Sequence, residues 1–234
     1  MKHLKKLNNF NHFKQYQYDI NNYTTPIVCK TNEGLLYKKK DPYNCPYQRI
    51  EYLEGYNNSI INLSFDDITN DMLVNNKLEY VTNLQLTNLN GGAEGINGLY
   101  FFVGISRNNY YSGCGPSYGS SNTNADLNKH ELKLSVENNV VNYYLDNDII
   151  QTYSFSSGFN SPLNQFGLFD CISYNGDLTN QRKYYAKLTL GNKIIFECFP
   201  VRIENKGYMY ETVTKQLYSS RNLDSQFILG PDII

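Results

Sequence analysis

The sequence predicts an all-β protein, an antiparallel sandwich of two sheets, on three observations. Short apolar or alternating runs recur at roughly 8–14-residue spacing with turn residues between them, which is the cadence of a sandwich. Gly191-Asn192 separates two alternating runs, 183–190 and 193–202, the mark of a tight hairpin with φ > 0. Asn138-Asn139 and Asp146-Asn147 punctuate three more runs, 131–137, 140–145 and 148–153, which makes a meander.

Residues 1–46 read as an appendage. Leu4, Leu7, Phe10 and Phe13 recur every third residue amid Lys, His, Asn and Gln, an apolar stripe that predicts a short helix. Pro26 opens Ile27-Val28-Cys29, and Asn32-Glu33-Gly34 turns the chain into Leu35-Leu36-Tyr37, a small hairpin ending in Lys38-Lys39-Lys40. Such a hairpin is marginal alone, so it needs a partner surface. Three lysines are too few to argue a nucleic-acid site and read as a solvated hairpin end. Pro42 and Pro46 mark residues 41–47 as a linker.

The sandwich is expected over 47–234. Residues 48–53 and 59–65 alternate and predict strands, while Asp66-Asp67 opens a turn or one short helix reaching Asn75. A long strand follows over 77–86, then a Gly/Asn loop over 88–98. Residues 99–105 are continuously apolar, as in a strand buried on both faces. Residues 107–124 hold Tyr, Ser, Gly and Asn with one Pro and predict a loop. After the meander, residues 164–174 predict another apolar strand. Pro200 cannot donate a ladder hydrogen bond, so it ends the run from 193 or places it on an edge. The stretch 183–232 is expected to form the closing edge against which the earlier strands pair.

Composition limits the function classes. The 234 residues are 41% hydrophobic, enough for a core, but only 18% charged, below the usual quarter. A net charge of −1 provides no field that steers the chain to nucleic acid or anionic lipid. No run approaches the ~18 apolar residues of a membrane helix, and Met1–Phe10 lacks the apolar region of a signal peptide. The chain is therefore expected to fold in the cytosol. Cys29, Cys45, Cys114, Cys171 and Cys198 are odd in number and include no Cys-x-x-Cys pair, so neither a disulfide framework nor a zinc site is expected. They read as small hydrophobes in a reducing compartment.

Catalytic and metal chemistry finds little footing. A glycosidase needs two carboxylates about 5–9 Å apart. Glu131 and Glu137 share a strand and a parity, but strand rise places them ~20 Å apart. His3, His12 and His130 enter no Cys/His or Ser/His/Asp arrangement. Asp66-Asp67 and Asp146-Asn147-Asp148 offer hard oxygen ligands, yet both coincide with predicted turns, where Asp and Asn serve the backbone. No metal, cofactor or catalytic residue is assigned. Recognition is better served. The chain has 22 Tyr and no Trp, and Tyr stacks on sugar faces while keeping a polar tip. Tyr110, Tyr111 and Tyr118, amid Gly, Ser and Asn, are the candidate ligand-binding residues.

Two stretches resemble known families. Phe196-Glu-Cys-Phe-Pro-Val-Arg, Gly207-Tyr-Met-Tyr-Glu, Leu217-Tyr and Phe227-Ile-Leu-Gly-Pro-Asp resemble the C-terminal signature of laminin-G/concanavalin A-like jelly-roll proteins of gut bacteriophages and their bacterial hosts. Gln48-Arg-Ile-Glu-Tyr-Leu-Glu resembles that family's opening strand. The pattern departs at Glu197, where Asp is usual, and after Leu53. The first residues, Met1-Lys-His-Leu-Lys-Lys with Asn8 and Phe10, resemble the leader of virion proteins of Bacteroides phages, crAss-like phages included. Together they imply a jelly-roll sandwich on a virion-attachment leader, with Leu4, Leu7, Phe10 and Phe13 as anchoring residues. The role implied is a non-enzymatic virion structural protein, a head fibre, capsid decoration or tail appendage, assembled in the host cytoplasm. Its partners would be other virion proteins and a host surface glycan, with the chain a dimer or trimer and no nucleic acid or membrane bound. The alternatives are a carbohydrate-binding module of a bacterial surface protein, a capsid cement without ligand, and a glycoside hydrolase.

Overall fold

The computed structural model describes residues 23–27, 36–39, 41–55, 61–68, 76–83, 88–95, 99–106, 108–115, 117–126, 128–154, 163–169, 181–221 and 226–233. The chain divides into two compact units, residues 1–46 with 234, and residues 47–233. In the first, β1 (Tyr23–Ile27) pairs antiparallel with β2 (Leu36–Lys39), with Ile27 opposite Leu36 and Pro26 opposite Tyr37. The hairpin agrees with the sequence, but its first strand begins before Pro26 instead of at it. The predicted helix, with Leu4, Leu7, Phe10 and Phe13, lies outside the described residues.

The second unit is all-β, and no helix occurs among the described residues. In chain order it holds β3 (Gln48–Arg49), β4 (Leu53–Glu54), β5 (Ile61–Ile68), β6 (Asn76–Asn83), β7 (Asn88–Gly95), β8 (Leu99–Ser106), β9 (Asn109–Gly115), β10 (Ser117–Asn124), β11 (Lys129–Glu137), β12 (Val140–Leu145) and β13 (Asp148–Ser154). There follow β14 (Leu163–Leu168), β15 (Arg182–Leu190), β16 (Lys193–Ile203), β17 (Lys206–Glu211), β18 (Leu217–Tyr218) and β19 (Ile228–Leu229). One sheet runs β10-β9-β8-β7-β14-β5. The larger runs β13-β12-β11-β6-β15-β16-β17-β18, with β3, β4 and β19 attached. The pairs between them are antiparallel.

Local turn chemistry fixes the meander. Asn138 and Asn139 have φ of 51° and 62°, and Asp146 and Asn147 have 49° and 77°. Two consecutive left-handed residues match the twist of a hairpin, and Asn and Asp tolerate that region best after Gly. Alternation then sends Leu132, Leu134, Val136, Val141 and Tyr143 inward. Across the gap they meet Val103, Ile105, Tyr110 and Cys114 of the smaller sheet in one core. Phe166 of β14 and Phe196 of β16 close it at 5.5 Å between ring centroids.

Several expectations are corrected. Asp66 and Asp67 lie within β5, not in a turn. Residues 88–95 are strand β7, not a loop, and 107–124 hold the β9–β10 hairpin. Gly, Ser and Asn have weak strand propensity, but pairing on both sides of β9 overrides it. Pro200 lies inside β16, opposite Met209 of β17. Its carbonyl accepts from Ile50 N at 3.2 Å, so its missing N–H faces that same side, beyond the last β15 pair at Cys198. The stretch 183–232 supplies the middle of the larger sheet as well as its end, since β15 pairs with β6.

The residues that carry the jelly-roll resemblance build a seam between the two ends of this unit. Glu51 N donates to Pro231 O at 2.8 Å, Gly230 N to Tyr52 O at 2.9 Å, and Ile233 N to Arg49 O at 2.9 Å. Arg202 grips Asp232 with two nitrogens, Nε and a terminal NH2, each at 2.6 Å. The signature is thus a device of the fold, which explains why it says little about function.

Candidate functional site

The three candidate tyrosines part company by parity. Successive strand residues face opposite sides of a sheet, so Tyr110 points into the core at 1% exposure while Tyr111 faces out. Tyr110 is therefore corrected from exposed ligand contact to core residue. Its ring meets His130 edge-on at 6.2 Å. Burial, with the charge of Asp126, pushes its phenol up to about 12. Tyr111 stands opposite Ser120, and Tyr118 opposite Gly113, so Tyr111 and Tyr118 are diagonal neighbours on the outer face. Their centroids are 5.9 Å apart, and Phe102 of β8 lies 5.1 Å beyond Tyr111. Phe102 is buried, Tyr111 half-buried and Tyr118 60% exposed. The result is a stepped aromatic platform at the edge of the smaller sheet. Gly113 opposite Tyr118 has no side chain to shade the outermost ring.

Behind the platform, β10 runs against β13. Ser112 of β9 has its Oγ 3.3 Å from Tyr153 OH and 3.5 Å from Gln151 Oε1, a polar seam between β9 and β13. His130 stands near the start of β11, beside the turn between β12 and β13. Its Nδ1 is 2.6 Å from Asp146 Oδ2, and its Nε2 is 2.7 Å from Asp126 Oδ1. Both nitrogens find carboxylates only in the imidazolium. Burial opposes that charge, but the hydrogen bonds to Asp146 and Asp126 outweigh it and raise the His130 pKa above its ordinary 6.5. Asp146 also accepts from Glu131 N at 2.9 Å. The Asp146-Asn147 pair therefore serves its turn, as the sequence suggested. No cluster with metal-ligand geometry occurs among the described residues.

Two buried carboxylates escaped sequence reasoning. Glu197 accepts from Tyr185 OH at 2.5 Å and Thr212 Oγ at 3.5 Å, with Lys187 Nζ at 3.8 Å. Glu211 accepts from Val213 N at 2.7 Å and Thr214 N at 2.6 Å, which ties the turn after β17. Their partners are the neighbouring strand β15 for Glu197 and the turn after β17 for both, so both read as structural. Cys114 and Cys198 are buried free thiols and Cys45 is half-buried, while Cys29 and Cys171 lie outside the described residues. Burial pushes the Cys114 thiol up to about 12, leaving it inert.

A second surface was also missed. A bulge in β15 between Lys183, opposite Thr82, and Tyr185, opposite Val81, inserts Tyr184 as an extra residue, so Lys183 and Ala186 both turn inward. Tyr184 is thereby re-aimed outward. It meets Tyr52 edge-on at 5.6 Å, with Arg182 lying 4.3 Å over Tyr52 and Lys129 lying 3.9 Å over Tyr184. Glu54 holds Arg182 at 2.7 Å, and Glu51 holds Lys129 at 3.7 Å. The only sequence signal was the doubled tyrosine that breaks the alternation of 183–190.

No protein-family model matches the chain, and no curated protein matches it. Solved structures do. A candidate carbohydrate binding protein from Bacteroides ovatus ATCC 8483 superimposes with a TM-score of 0.56 at 10% identity, covering 88% of this chain and 66% of that one. A sialidase from Trypanosoma rangeli, in complex with 2,3-difluorosialic acid, reaches a TM-score of 0.38 at 13% identity, covering 76% of this chain and 35% of its own. The first shows a shared β-sandwich fold and nothing finer. The second is too distant to define a shared fold. The chain spans just under two thirds of the first protein and about a third of the second.

Proposed function

We propose that the chain is a non-enzymatic, saccharide-binding β-sandwich whose contact surface is Tyr118 with Tyr111, backed by the buried ring of Phe102. The observation that carries this reading is Tyr118, 60% exposed and backed by two further rings. Contiguous exposed aromatic surface marks interaction sites where a single exposed ring does not, and the face of such a ring complements the C–H face of a sugar. The fold shared with the Bacteroides ovatus protein is consistent with this. A glycan array with wild-type protein and Tyr118→Ala tests it. Wild type should bind, and the variant should bind roughly tenfold more weakly, the equivalent of about 1.4 kcal/mol of lost stacking. Binding by neither, or equally by both, removes the platform reading. Turnover of laminarin-type glucan that a Glu197→Gln change abolishes would overturn the non-enzymatic reading.

The place of display is a second proposal, supported by the leader resemblance of residues 1–10. The chain is a virion protein, a fibre, decoration or tail appendage, held by Leu4, Leu7, Phe10 and Phe13 against other virion proteins as a dimer or trimer. Antibody raised to residues 47–234 and read by electron microscopy should label virion projections. Intact particles without label would leave the carbohydrate-binding module of a bacterial surface protein.

A further inference from the structure

Resting on the saccharide-binding reading, we propose that the outer face of the larger sheet carries a second saccharide site, built on Tyr52 and Tyr184, that takes a neutral sugar and makes each chain bivalent. Three segments distant in sequence converge there, residues 51–54, Lys129 and residues 182–184. They do so through the ladder, because Arg182 stands opposite Glu54 on one side and opposite Asn83 on the other, and Asn83 is opposite Lys129. The two rings meet at 61°, so they form a corner rather than a stack. A ligand in this corner would meet both ring edges together with the cations that lie over them.

Charge decides the class of ligand. Lys129 and Arg182 are balanced by Glu51 and Glu54, so the patch has no net charge. Nucleic acid or an anionic glycan would require an excess of cations. What the patch combines is two aromatic rings, each with a cation lying over it, and the carboxylates that hold those cations, a set of donors and acceptors that complements a hydroxyl-rich neutral molecule. The long side chains are already held by ion pairs and ring contacts, so less freedom is lost when a ligand arrives. The base is equally fixed, since Tyr52 O accepts from Gly230 N at 2.9 Å. The Tyr118 platform lies on the outer face of the other sheet, so the two sites face away from each other.

The test uses the full chain. Affinity electrophoresis in gels containing laminarin, yeast mannan or a galactan, with polygalacturonate as the anionic comparison, identifies a retarding glycan. Calorimetric titration with an oligosaccharide of that glycan then gives the stoichiometry. The variants are Tyr118→Ala, Tyr184→Ala and the milder, exposed Lys129→Ala, each checked by far-UV circular dichroism. Two sugars per wild-type chain are expected, and one after Tyr118→Ala or Tyr184→Ala. Each single change should weaken retention on the polymer by about tenfold or more, because avidity is lost. Lys129→Ala should weaken the second site without removing the first. If Tyr118→Ala alone abolishes binding, or if neither Tyr184→Ala nor Lys129→Ala alters it, the second site falls while the platform stands. Retardation by polygalacturonate alone overturns the neutral ligand. No retardation of wild type by any of the four removes both readings.

Discussion

A Cβ built on Gly230 would stand 2.8 Å from the backbone nitrogen of Tyr52 and 2.9 Å from its ring. Backbone cannot yield as a flexible side-chain end can. Gly230→Ala should therefore cost about 1–3 kcal/mol, as overpacking does, and lower the midpoint of thermal unfolding. Gly191→Ala is the matched control. Its φ is +56° and nothing lies within 4 Å of the added atom, so only backbone strain of roughly 1 kcal/mol is expected. Deeper in the core, Phe196→Ala removes a ring that bridges the sheets and should cost about 3–5 kcal/mol, read by chemical denaturation. At this scale Gly191 was legible from its Gly-Asn pair, while the tight approach at Gly230 and the roles of the rings were not. Tyr110 and Tyr111 are chemically identical neighbours, and only the register of β9 against β8 decides which one is buried.

Among the elements, the strand ends around His130 carry a pH dependence with two limbs. The raised His130 pKa means that its contribution is fully present below 6.5 and is lost as pH rises through the folded value. Asp126 is held below its ordinary 3.8 by Asn128 N and then by His130. Asp146 is held below the same value by Glu131 N and His130 against the opposing effect of burial. Their contributions are present above 3.8 and fade as pH falls through the lower folded values. The cluster is thus strongest between about 4 and 6.5. Solvent screening of the exposed carboxylates limits each pair to at most about 1 kcal/mol. His130→Asn should flatten the alkaline limb of a midpoint-against-pH profile, and an unchanged profile would refute the cluster. The meander that positions His130 was legible because Asn138-Asn139 and Asp146-Asn147 encode their turns locally. The β9–β10 hairpin was not, because Gly, Ser and Asn have weak strand propensity and become strand here only through pairing with β8. The Tyr52–Tyr184 surface was hidden for a related reason: a bulge shifts the parity of β15, and no period-2 pattern anticipates it.

For the whole molecule, the sandwich should stand without its appendage. Residues 47–234 expressed alone are expected to keep the far-UV spectrum and a single cooperative melt, since the core cluster draws on this unit. A broad, non-cooperative transition would show that the leader and hairpin are part of the fold. Removing residues 227–234 should do the opposite, because it deletes Phe227, packed 4.8 Å from Phe169, together with Gly230 and Asp232. Such a chain should lose cooperativity and gain sensitivity to protease. Two sheets, their antiparallel order and much of the strand list could be anticipated from turn residues and alternation. The sheet in which each strand lies could not, because that depends on pairings across the whole length, such as β5 with β14 and β6 with β15.

The hydrogen bonds joining Arg49, Glu51 and Tyr52 to Gly230, Pro231 and Ile233 also set the timing of synthesis. A ribosome delivers residues 49–52 well before residues 230–233, so the opening strands of the sandwich wait for those backbone partners before this edge is covered. Until Ile233 clears the exit tunnel, the nascent sandwich has an unsealed rim, a natural client for chaperones. A product that stops before Gly230 lacks those partners, so the seam ties the edge of the sandwich to synthesis of its far end.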